Sequence, residues 1–157
     1  MTPMTKDAVL VTVQVDVSQQ RAFDVFTTRF GSWWPMDHHI GSEPAVDAVI
    51  EPRSGGRWFE RSADGRECEW GSVLEWEPPA RVLLAWHLNQ EFRYDPDPAM
   101  ATEVEVRFIA EGPTATRVEL EHRGFEVHGE PGAAMRAAVS APDGWGGIVQ
   151  RYVSAVA

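Results

Sequence analysis

Residues 145–156 read WGGIVQRYVSAV, and the spacing of their apolar members decides the architecture. Trp145, Ile148, Val149, Tyr152, Val153 and Val156 fall at i, i+3, i+4, i+7, i+8 and i+11, one continuous stripe along a helix. Asp143 stands where it would cap that helix. Pro142 separates it from an alanine-rich stretch, Gly132 to Ser140, that also reads as helical. A helix with one apolar face must bury it, so the preceding chain has to supply the complementary surface.

That surface is written in period two. Val9, Val11, Val13, Val15 and Val17 alternate with Leu10, Thr12, Gln14 and Asp16, as in a strand with one buried face. Ser18 then caps a helix running to about Arg29, with Ala22, Phe23, Phe26 and Phe30 at helical spacing. Gly31 and Pro35 bracket a short helical turn holding Trp33 and Trp34. Strands follow at 45–51 and 56–61, joined by a Pro-Arg-Ser-Gly turn, and at 67–77 after Ala63-Asp64-Gly65. In that third run Cys68, Trp70, Ser72, Leu74 and Trp76 share one face. Pro78 and Pro79 end it, since proline has no N–H for the ladder, and 81–88 resumes with Val82, Leu84, Trp86 and Leu88 on one side. Residues 89–101, with Asp95-Pro96-Asp97-Pro98, read as an exposed loop over one end of the domain. A last hairpin around Gly112-Pro113 turns Val104, Val106 and Phe108 inward beside Val118, Leu120 and His122. The order β-α-(α)-β-β-β-β-β-β-α predicts an α+β domain. A curved antiparallel sheet of about six or seven strands wraps a long C-terminal helix, with two short helices after the first strand.

The 157 residues make one domain, 1–157, long enough to bury roughly two-thirds of the surface its unfolded chain exposes. Its one cysteine, Cys68, excludes an internal disulfide and a cysteine-pair metal site. The N-terminal stretch carries Lys6 and Asp7 and then alternates, so a signal segment or membrane insertion is not expected, and the cytoplasm is the expected location. A net charge of -10 with scattered positive residues repels a phosphate backbone, which argues against nucleic acid as a partner. Seven tryptophans are the unusual feature, because indoles gather in large cores, interfaces and ligand pockets.

Several short stretches, in this order, resemble the SRPBCC (START-like, helix-grip) superfamily, in its branch related to the activator of the heat-shock-protein-90 ATPase. They are the first strand with Ser18 to Thr27, Gly55-Gly56, and Gly71-Ser72-Val73-Leu74-Glu75 through Pro78-Pro79 to Leu84-Ala85-Trp86. Thr102-Glu103-Val104, Thr116-Arg117-Val118, His122-Arg123-Gly124-Phe125 and Gly144-Trp145 complete the set over nearly the whole chain. The resemblance implies a helix-grip fold with an internal pocket and a stress-response relationship. It also implies uses as varied as lipid or hormone binding, polyketide cyclisation and co-chaperone contact. It transfers no catalytic residue, since fold does not give function.

The leading expectation is therefore a binding protein for a small hydrophobic or aromatic molecule, monomeric or homodimeric, with no cofactor and no metal. Trp58, Trp70, Trp76, Trp86, Phe108, His122, Trp145, Val149 and Tyr152 are the candidate ligand-binding residues, some of which would simply fill the core. Trp33, Trp34 and Met36 are candidates for a pocket mouth or lid, or, if the indoles are exposed, for a partner surface. His122 is either a general base or ligand-orienting imidazole, or a core histidine satisfied by a hydrogen bond. Glu60 shares parity with Trp58, which turns it into the cavity as an acid/base partner for His122 or Arg61, unless the register is shifted by one and it lies in solvent. A cyclase, dehydratase or hydrolase using His122 with Glu60, and a co-chaperone-like interaction module, are the alternatives. Adjacent His38 and His39 diverge on an extended segment, which disfavours a shared metal.

Overall fold

The computed structural model describes residues 8–157 apart from Asp37, His39, Ser42 and Gln90. The valines of β1 (Val9–Val15) face the core beside β7 (Ala115–Arg123), with Val11 opposite Leu120 and Val13 opposite Val118. From β7 the sheet continues through β6 (Thr102–Gly112), β5 (Arg81–Trp86), β4 (Glu67–Glu77) and β3 (Arg57–Ser62) to β2 (Ala45–Ile50). The seven strands lie in the order β1-β7-β6-β5-β4-β3-β2, every neighbouring pair antiparallel. Because β1 and β2 occupy opposite edges, the chain between them must cross the concave side. It does so as α1 (Gln19–Thr27) and a short 3-10 turn, Phe30–Ser32. Ser18 caps α1 by accepting from Arg21 N at 3.2 Å.

After β7 the chain forms a 3-10 turn, Phe125–His128, and two helices, α2 (Pro131–Ser140) and α3 (Trp145–Val156). The stripe of α3 is buried as its spacing requires: Trp145, Ile148, Val149, Tyr152 and Val156 all turn inward. This is the α+β helix-grip arrangement. Tyr152 is locked there by its hydroxyl, which donates to Ala22 O of α1 at 2.8 Å, and by edge contacts with Phe26 and Trp33 at 5.1 and 5.5 Å. The interior half formed by α1, α3, Phe23, Phe26, Trp33 and Phe108 is thus packed solid with aromatic rings.

Two details depart from the expected pattern. Leu74, expected on the inner face of β4, is 43% exposed, because the ladder to β5 steps from Val73 opposite Leu84 to Glu75 opposite Leu83 and leaves Leu74 as an extra residue. A second bulge leaves Trp70 without a partner between Gly71 opposite Trp58 and Glu69 opposite Phe59. Bulges bend a strand and strengthen its twist, and two in β4 curl the sheet around the helices. Between them Gly71 has no alternative, since a Cβ there would drive into the Ala85 carbonyl oxygen of β5. The expected Asp143 cap is the other correction: α3 starts from Gly144 with no side-chain cap, and Asp143 is exposed beside it.

The scattered arginines gather on the outer face. Arg81, Arg107 and Arg123 interleave with Glu103, Glu105, Glu119 and Glu121 across β5, β6 and β7, and Arg123 reaches Glu105 at 2.7 Å. Glu105 sits opposite Glu121 in the ladder, and the diagonal arginines relieve that repulsion. Among the described residues no helix is long and apolar enough to cross a membrane.

Candidate functional site

Where the interior is not filled, it opens. A cavity of about 450 Å³ lies at the end of the sheet where β4 and β5 face the turn between α2 and α3. Trp70 of β4, Trp86 at the end of β5, Trp145 and Ile148 of α3, and Trp34 from the segment after the 3-10 turn form its walls. Ala138 and Val139 of α2 and the connecting Ala141, Asp143 and Gly144 make one rim. Gly144 is required there, since any Cβ would meet the Val139 carbonyl oxygen. Ile40, Leu88, His38 and Phe92 make the other rim. Phe92 is 44% exposed, and its φ of 58° lies in the left-handed region that side chains rarely adopt.

Two buried polar networks hold the wall indoles in place. In the first, the Trp145 indole N–H donates to His122 Nδ1 at 2.9 Å, which fixes the imidazole proton on Nε2, 2.8 Å from Thr102 Oγ1. His122 is fully buried among Trp86, Phe125 and Trp145, and this desolvation pushes its pKa down to about 3. It is a neutral ring with both nitrogens occupied. In the second, the buried Glu60 carboxylate accepts from Trp70 Nε1 at 2.8 Å and from the backbone N–H groups of Ile40 and Gly41 at 2.7 and 3.2 Å. It ties the 40–41 segment to the sheet and sets the Trp70 ring at the same time.

The candidates from the sequence therefore divide by position. Trp70, Trp86, Trp145 and Trp34 line the cavity. Trp58, Phe108, His122, Val149, Tyr152 and Trp33 are buried outside its lining, Trp33 with its indole donating to Val25 O at 3.0 Å. Trp76 packs edge-on against Phe23 at 5.0 Å, on the filled side. Met36 is half-buried against the core. Glu60 faces inward, but no hydrogen bond or ion pair joins it to His122 among the described residues, each being held by its own network. His38 lines the mouth, and His39, like Lys6 and Asp7, lies outside the described residues. Sequence reasoning missed Ile148 as a wall residue although it belongs to the α3 stripe. It also missed Ala138, Ala141 and Gly144, whose smallness is what leaves the space open and carries no periodic signal.

Comparison with known proteins places this fold in a family. The model of the family described as activator of Hsp90 ATPase homolog 1-like protein matches residues 16–152. The chain belongs to that family. Among solved structures, an anthrahydroquino-gamma-pyrone synthase, Txn09, is similar at 34% identity, covering 99% of this chain and 100% of its own, with a TM-score of 0.67. The self-sacrificing resistance protein CalC from Micromonospora echinospora is similar at 30% identity, covering 95% and 93%, with a TM-score of 0.68. Protein MLL2253 from Mesorhizobium loti, at 17% identity, 94% coverage of each chain and a TM-score of 0.65, shares the fold. No curated protein matches. The family and these neighbours fit a ligand-binding SRPBCC-type domain.

Proposed function

We propose that this chain binds a small, flat, mainly apolar aromatic compound in the cavity between Trp34, Trp70, Trp86 and Trp145. One observation carries the reading: about 450 Å³ of space is walled by four indoles, three of which, Trp34, Trp70 and Trp145, are oriented by the protein's own hydrogen bonds. The volume is in the range of small-molecule sites, and aromatic walls favour flat ligands through ring stacking as well as area burial. Native mass spectrometry of protein purified gently from its own cells tests it. A bound organic mass that Trp145→Ala releases is the expected result, and a wholly unoccupied protein that takes up none of a panel of flat aromatic compounds would refute it.

The full-length similarity to a synthase favours a second reading, an enzyme that folds a substrate in the same cavity. In that reading the cavity excludes water and sets the substrate's shape. His122 contributes by fixing Trp145, since its low pKa and occupied nitrogens leave it no proton to exchange near neutral pH. Turnover of a substrate by the His122→Gln variant at the unaltered rate-limiting pKa, with only KM changed, is the expected signature.

A further inference from the structure

An indole has one polar atom, a donor, and three of the four in the cavity wall are already committed. Trp34 donates to His38 O at 3.2 Å, Trp70 to Glu60 Oε1 at 2.8 Å and Trp145 to His122 Nδ1 at 2.9 Å. Trp86 Nε1 has no acceptor among the described residues. Trp58 Nε1 is also a buried donor without a partner, but Trp58 lies outside the cavity lining, whereas Trp86, only 5% exposed, is part of it. The ring cannot turn aside to find another partner. It is wedged between Trp58, His122 and Trp145 at 5.5, 5.1 and 5.7 Å, on a strand end paired with both Gly71 and Thr102.

A fixed, unsatisfied donor in an apolar wall selects for an acceptor at one place on the ligand. The acceptor is neutral rather than anionic, because Asp143 stands on the rim and the chain carries a net charge of -10. We infer that Trp86 Nε1 is the orienting donor of the cavity and that its ligand is a flat aromatic compound carrying a neutral acceptor, a carbonyl oxygen, placed on that N–H. This rests on the cavity being a ligand site, as proposed above.

The matched pair fluorene and 9-fluorenone tests it, since the two differ by one carbonyl oxygen. Binding of each to the full chain is titrated by calorimetry while the seven indole N–H resonances, assigned by single Trp→Phe changes, are followed by NMR. Fluorenone should bind about 3- to 10-fold more tightly, the gain of one hydrogen bond, and should move the Trp86 Nε1–H resonance downfield where fluorene does not. In Trp86→Phe the ratio of the two affinities should fall to about one, whatever the absolute values. Equal affinities in the unaltered chain, or a preference that survives Trp86→Phe, would overturn the assignment and leave the cavity as a ligand site. Binding of neither compound would remove that site and this inference together.

Discussion

Acidification should destabilise this protein through His122 before most carboxylates titrate. The ring is fully buried, and desolvation lowers its pKa from the ordinary 6.5 to about 3. In the unfolded chain it takes up a proton as pH falls through 6.5, while the folded chain stays neutral until about pH 3. The unfolded state therefore binds more protons throughout that window, so stability is fully present above pH 6.5 and is lost as pH falls through it. The slope approaches about 1.4 kcal/mol per pH unit, or about 2 kcal/mol between pH 7 and pH 5, before most carboxylates titrate. Urea unfolding of the unaltered chain and of His122→Gln, whose amide keeps a donor and an acceptor but does not titrate, isolates the effect because every other group cancels. The stability difference between the two should shrink by about 2 kcal/mol on going from pH 7 to pH 5. Parallel curves across that interval would mean that His122 is not held neutral, and the tautomer that fixes Trp145 would be wrong.

Glu60→Gln should lower stability by about 1–3 kcal/mol, because an amide cannot accept from all three of the donors that converge on the carboxylate. In the NMR spectrum the Trp70 indole and the Ile40 and Gly41 amides should move together, and unchanged positions would contradict the network. Phe92→Gly should raise thermal stability by about 1 kcal/mol by releasing the left-handed strain, yet weaken binding at the mouth. A simple loss of both would show that Phe92 is a packing residue. Ala138→Trp should fill the cavity and abolish binding with a melting temperature close to that of the unaltered chain. A collapse of stability would mean that the space beside α2 is not empty. Burial tends to raise the Glu105 carboxyl, but its hydrogen bonds with Arg81 and Arg123 outweigh this and hold it below the ordinary 4.5. Its contribution is thus present above pH 4.5 and lost below, so Glu105→Gln should flatten the acid limb of the stability curve measured by thermal unfolding.

Most of the architecture is legible because burial follows period. The valines of β1 and the α3 stripe each name one face, and the strands fall within a residue or two of where alternation puts them. What alternation does not record is an added residue, so the bulges at Trp70 and Leu74 were invisible, and with them the curl that makes the sheet a grip. Parity also gives the face of a side chain but not its depth along the strand. Trp58, Trp76 and Phe108 share the concave face with Trp70 and Trp86 and yet lie away from the cavity. The neighbours Trp33 and Trp34 divide for a similar reason: the turn before them sends one indole to Val25 O and the other to the cavity wall. Asp143 looks like a cap from its position, but Gly144 occupies that place and leaves the carboxylate on the rim.

A crystal structure of the chain grown with 9-fluorenone would be the most direct test of whether the interior beside α3 is a binding site. The ligand should appear flat between Trp34, Trp70, Trp86 and Trp145, with its carbonyl oxygen on Trp86 Nε1 and the filled half around Tyr152 undisturbed. Indoles collapsed into that space, with the ligand absent or lying on the outer face of the sheet, would contradict it.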